Sequence, residues 1–122
     1  MDLHTPIATQ RIVRTTGAAR QVKAWHGDCC QVCETALVVP GGAYSEGTHI
    51  QALGAPHNGE DVVGNILCLC PNCHVLFDSG ALIIRDDFVV MAGDREIGPL
   101  RQHPNHRIGI EFVRNHRGRW RS

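Results

Sequence analysis

Apolar positions along this chain fall into short groups whose rhythm changes from helical to strand-like and back. From Arg11 to His26 the run R-I-V-R-T-T-G-A-A-R-Q-V-K-A-W-H sets Ala18, Val22 and Trp25 at steps of four and three. That spacing predicts one inward-facing helical stripe. The helix is expected from about Ala18, because Gly17 weakens its front half, and Gly27-Asp28 ends it. Ala36 to Pro40 reads as a short strand and Gly41-Gly42 as a turn. Ala43 to Ala52 then reads as the returning strand of a hairpin. Leu53 to Gly64, rich in Gly, Pro and Asn, is a loop. Asn65 to Leu69 leads into a helix opened by Pro71, running to about Asp78 and stopping at Gly80. Ala81 to Arg85 and Phe88 to Ala92 form a second hairpin across Asp86-Asp87. Leu100 to Pro104 is irregular, and Ile108 to His116 is a last short helix.

Composition narrows this to a small α+β domain that needs a staple. At 122 residues the chain is read as one domain over 11–122, with a flexible lead-in over 1–10. A hydrophobic share of 43% is ordinary for a globular chain, but aromatics are only 5% and thirteen residues are Gly. Such a chain buries a modest core. Six cysteines can staple it through disulfides or through a metal. The start Met1-Asp2-Leu3-His4 has no secretory pattern, and no apolar run reaches the roughly 20 residues of a membrane span. The expectation is a cytoplasmic protein with reduced thiols, which favours metal. Formal net charge is zero, arguing against coating nucleic acid through bulk charge. Four of the twelve Lys/Arg residues nevertheless crowd the tail from Arg114 to Arg121, either as a solvated end or as a phosphate-contacting strip.

The cysteines are paired. Cys30-Gln31-Val32-Cys33 and Cys70-Pro71-Asn72-Cys73 are two C-x-x-C knuckles, each placing two thiolates in one tight turn. Together they supply the four sulfurs of a closed structural Zn²⁺ site. Cys29 can replace Cys30 only at an unusual spacing, and Cys68 reads as a small core residue. Trp25 and Phe77 read as core, packing the first helix against the knuckle helix. His57, His103, His106 and His116 read as surface residues, and Asp78 as a pin for the end of its helix.

Between and after the knuckles lie Glu46-Gly47-Thr48-His49-Ile50, Asn65 and His74. Their order and framing resemble the HNH endonucleases, a ββα-metal family. The run Asn65 to Asp78 and the segment Pro56-His57-Asn58-Gly59 resemble the branch linked to SRA-type base-reading domains in modification-dependent restriction enzymes. The likeness covers roughly 18–80. It implies His49 as general base, Asn65 as the residue that holds the loop and helps orient that histidine, and His74 as a ligand of a catalytic divalent metal. It further implies double-stranded DNA as substrate, with specificity supplied by a base-reading domain, a partner subunit or a homodimer.

These residue types suit phosphodiester hydrolysis. A neutral imidazole near its ordinary pKa of about 6.5 can take a proton from water, and a divalent cation can neutralise charge building on the phosphate. The cation is expected to be Mg²⁺ or Mn²⁺, with Ni²⁺, Co²⁺ or Zn²⁺ also suited to a histidine ligand. Where the family carries His or Asp before the base histidine, this chain has Thr48. Glu46, two residues earlier on the same strand face, is expected to reach the metal in its place. The alternative expectation is a zinc-bound nucleic-acid-binding or interaction module whose nuclease site has decayed.

Overall fold

Thr16 opens the first helix. The structure, a computed structural model, describes residues 13 and 15–120; the lead-in and most of the front of the Arg11–His26 run lie outside them. Helix α1, Gly17–His26, starts where the Thr16 hydroxyl accepts the Ala19 N–H at 3.2 Å. This cap satisfies one of the orphan donors of the first turn and lets the helix begin at Gly17, one residue before Ala18.

Strands β1, Leu37–Val39, and β2, Gly42–Tyr44, pair antiparallel as the first hairpin. The expected return strand from Ala43 to Ala52 is interrupted, however. At Ser45 the hydroxyl donates to Asp28 Oδ1 at 2.6 Å, and the chain changes partner. Strand β3, Glu46–His49, pairs antiparallel with β4, Ile66–Leu69, in the register Glu46↔Leu69 to His49↔Ile66. The stretch expected only to lead into the second knuckle is thus a fully buried strand. Its four side chains alternate between two apolar layers, and burial on both faces drives the pairing across the long loop.

Helix α1 covers one face of the β3–β4 ribbon, where Ala19, Val22, Ile66 and Cys68 are buried together. Gly47 permits the close approach: a Cβ there would lie 2.8 Å from that of Ala19. Helix α2, Pro71–Asp78, lies over the other face with Phe77 inward, in a cluster with Leu67, Leu69, Leu82, Ile84, Val90 and Phe112. Cys68 is the core residue it was expected to be. Trp25 and Phe77 do not pack α1 on α2. They belong to separate layers, because the ribbon lies between the helices.

Strands β5, Leu82–Ile84, β6, Val89–Ala92, and β7, Arg95–Pro99, form an antiparallel sheet. β7 is absent from the sequence expectation because its side chains are mostly exposed and Ile97 is its lone large apolar residue. Helix α3, Ile110–Trp120, runs further than expected. Arg114 and Arg117 reach Asp86 at 3.0 and 2.7 Å, and Arg117 also donates to the Ile84 carbonyl. Half of the basic tail thereby ties α3 to the β5–β6 turn. Gly80, at φ +81°, follows the end of α2 and lies against Trp120, whose ring would be 2.3 Å from a Cβ there.

Two histidines expected at the surface are buried. His106 bridges His26 Nε2, at 2.8 Å from its Nδ1, and the Val63 carbonyl, at 2.9 Å from its Nε2. His116 stacks on Phe77 with ring centroids 3.7 Å apart and donates from Nε2 to the Phe77 carbonyl. Each finds a carbonyl far along the chain, which no local pattern displays. Burial lowers the pKa of both, and lowers that of His116 to about 4.

Because the folded value of His116 lies below its unfolded value of about 6.5, its stabilising effect is complete above pH 6.5. It is lost as pH falls toward 4, since the unfolded chain then binds a proton the folded one resists. The loss is roughly 2 kcal/mol by pH 5. Melting temperature is expected to fall between pH 7 and pH 5 and to fall less in a His116→Gln variant. Equal slopes for the two proteins would show that His116 does not set the acid limit.

Candidate active site and four-cysteine centre

The two knuckles meet. The sulfurs of Cys30, Cys33, Cys70 and Cys73 all lie within 4.8 Å of one another, and Cys33 and Cys70 are 3.7 Å apart. Tetrahedral sulfurs about 2.3 Å from a zinc ion are about 3.8 Å apart, so the set fits that ion. Cys70 is also the N-cap of α2, accepting the Cys73 N–H at 3.5 Å. The hydrogen bond from Cys73 holds the Cys30 thiol down at about 4, while that same bond pushes Cys73 up and burial pushes Cys70 up. Four crowded sulfurs cannot all ionise without a cation among them, and a dication resolves that conflict. Cys29 stands outside the set, as its spacing indicated.

On the α2 face of the ribbon, His74 is buried between two carboxylates. Its Nδ1 lies 2.9 Å from Glu46 Oε1 and its Nε2 lies 3.1 Å from Asp78 Oδ2. Glu46 is fully buried, and its other oxygen accepts the Tyr44 hydroxyl at 2.6 Å. Asp78 retains 24% side-chain exposure. A carboxylate only accepts, so each nitrogen facing one either donates a proton to it or shares a cation with it. Burial acts to lower the His74 pKa, but the hydrogen bonds to Asp78 and then to Glu46 outweigh it, and the net shift is upward. Asp78 was expected to pin the helix end; that end is at Ser79, and Asp78 instead meets His74 one turn back. The i, i+4 spacing was the visible sign of this pair.

Thr48 shares the β3 face of Glu46, two residues on. Its Oγ1 is, among the described residues, the buried side-chain oxygen with no hydrogen-bond partner. An unmet buried hydroxyl costs about 1–3 kcal/mol, and a hydrated cation next to this face would satisfy it. The residues present therefore fit a divalent cation with a partial water shell.

His49 ends β3. Its Nε2 lies 2.8 Å from Asp61 Oδ1. Asn65 is fully buried at the foot of β4. Its side-chain oxygen accepts the Gln51 N–H at 2.8 Å, and its amide donates to the carbonyls of Gln51 and Glu60 at 2.9 and 2.8 Å. Asn65 thus draws the two ends of the loop together. It makes no direct hydrogen bond to the His49 ring; Asp61 does, and no local pattern distinguishes that aspartate from an ordinary loop acid.

A ββα unit with four clustered sulfurs and a histidine–carboxylate cluster between strand and helix makes a small α+β domain whose residues could hold metal. Residues 30–85 match the family model described as HNH endonuclease. A solved structure described as "Modification dependent TagI restriction endonuclease" superposes with a TM-score of 0.86 at 47% identity, over 89% of this chain. The chain spans 39% of the length of that structure's chain. No curated protein matches significantly. The chain belongs to the HNH endonuclease family.

Proposed function

We propose that this chain is the catalytic domain of a divalent-cation-dependent DNA endonuclease of restriction type, acting inside the cell, with His49 as general base. The observation that carries the reading is the Glu46–His74–Asp78 row on the helix and strand of the family's motif. His74 Nε2 and Asp78 would hold the catalytic cation: ligand atoms about 2.1 Å from a cation on adjacent corners lie about 3.0 Å apart, against 3.1 Å here. Glu46, expected as a ligand, is read instead as the buried partner that fixes the His74 ring through Nδ1. Once bound, the cation would offset charge developing on the phosphate and its leaving oxygen.

The chain's own residues do the rest. His49 accepts a proton from water at Nδ1, the water oxygen bonds to phosphorus, and the bond from phosphorus to the leaving sugar oxygen breaks. That oxygen takes its proton from solvent. The four cysteines would hold structural Zn²⁺, closed to water and so without a part in the reaction. Double-stranded DNA is the proposed substrate. The structural relative is named as modification dependent, so base reading is assigned to a partner subunit or a further domain.

Supercoiled-plasmid cleavage with Mg²⁺, Mn²⁺, Co²⁺ or Ni²⁺, on modified and unmodified DNA, tests this. Wild type is expected to cut. Glu46→Gln is expected to need roughly 10–100-fold more cation for half-maximal rate, and Asp78→Asn more still, with zinc content unchanged in both. Failure to cut with all four cations on either DNA would leave a zinc-bound nucleic-acid-binding module with a decayed site. Equal cation demand in Asp78→Asn and wild type would remove Asp78 from the ligand set.

A further inference from the structure

From the His49–Asp61 contact we infer that Asp61 is the positioning residue of the general base, and that Asn65 and Thr16 act on the reaction through it. This rests on the nuclease reading above. Asp61 Oδ1 can only accept, so His49 Nε2, 2.8 Å away, carries the proton and Nδ1 keeps its lone pair. That is the tautomer a base needs if Nδ1 is to receive a proton from water. When it does, the ring becomes an imidazolium whose positive charge faces the Asp61 carboxylate.

The loop is built to hold this contact. Asp61 follows Glu60, whose carbonyl Asn65 binds, and His49 stands two residues before Gln51, bound by the same amide. One buried side chain therefore sets the spacing between the base and its carboxylate. From the other side, the Thr16 hydroxyl donates to the same Asp61 oxygen at 3.1 Å while capping α1. Two independent anchors, one from the residue just before β4 and one from the start of α1, thus converge on a single loop aspartate. The His49 side chain is 8% exposed and that of Asp61 38%, so the pair sits at the rim, where water reaches the ring. An acid held only for solubility would need neither anchor.

The test compares wild type with Asp61→Ala and Asp61→Asn, all matched for zinc content and melting temperature. Cleavage kinetics are read beside the ¹⁵N NMR signature of the His49 ring. Asp61→Ala is expected to lower kcat roughly 10–100-fold with KM for DNA unchanged, and to turn the Nε2–H tautomer into a mixture. Asp61→Asn, whose side-chain oxygen can still accept from Nε2 but carries no charge, is expected to keep the tautomer and fall between the two in kcat. A kcat for Asp61→Ala within twofold of wild type overturns the inference, as does a loss shared equally by kcat and KM with the tautomer unmoved. The spectrum needs no cleavage. If wild type fails to cut, the nuclease reading falls while the ring signature still decides the pairing: a mixture in Asp61→Ala supports it, and an unchanged spectrum overturns it.

Discussion

Stripping zinc from the four-cysteine centre is expected to unfold the domain, not merely to silence it. Binding of structural zinc contributes apparent free energy of roughly 10–16 kcal/mol in small zinc peptides. A whole domain is stable by only about 5–15 kcal/mol, so the metal term is as large as the total. Its placement strengthens the effect. Cys30, Cys70 and Cys73 are members of the main buried cluster with Phe77, Leu69 and Leu82. The centre joins the loop after α1 to the first turn of α2, the helix that carries His74 and Asp78. A weak chelator that removes only the catalytic cation is expected to stop cleavage and leave the circular-dichroism spectrum intact. A strong zinc chelator is expected to release one zinc per chain and to abolish the helical signal together with it. Stoichiometric zinc loss with unchanged spectrum and melting temperature would refute a structural role for the site.

His49→Ala is expected to lower kcat on the order of 10²–10⁴-fold, the usual worth of a general base. That corresponds to about 3–5 kcal/mol of activation free energy. Folding should scarcely register the change. Its ion-pair partner Asp61 is 38% exposed, and a pair with one solvent-screened partner contributes about 0–1 kcal/mol. The larger effect falls on chemistry, and the variant should keep its zinc, its melting temperature and its DNA affinity. Measured together, these separate a lost base from a damaged fold. Cleavage within threefold of wild type would mean that another group takes the proton. Weakened DNA binding at unchanged kcat would place His49 in substrate contact instead.

The parts of the site legible in the sequence are those set by short spacings. A C-x-x-C knuckle is a local object, and choosing Cys30 over Cys29 needed only its spacing. Pro71 marks the first turn of α2, because a missing N–H costs nothing there. His74 directly follows the knuckle, and Asp78 was within reach of a sequence argument as its i+4 neighbour. The break at Ser45 was not legible, since Ala43 to Ala52 alternates plausibly across it. What ends the first hairpin is the Asp28 carboxylate, seventeen residues upstream. The burial of His116 was hidden for the same reason: its partners are the ring and carbonyl of Phe77, thirty-nine residues away.

Sequence alone pointed to the α+β class, the paired cysteines and the knuckle helix, because each is written in residue type and spacing within a few turns of chain; His49, Asn65 and His74 were singled out only through the likeness to the HNH endonucleases. Only the tertiary structure decided which carboxylate serves which histidine. Glu46 meets His74 because β3 leaves the first hairpin to pair with β4 beneath α2. Asp61 meets His49 because Asn65 closes the loop between them. Those partners stand 28 and 12 residues apart. A hydrogen bond between a carboxylate and an imidazole acts over about 3 Å, so the pairings exist only once burial of Ile66 to Leu69 between two helices has brought the strands together.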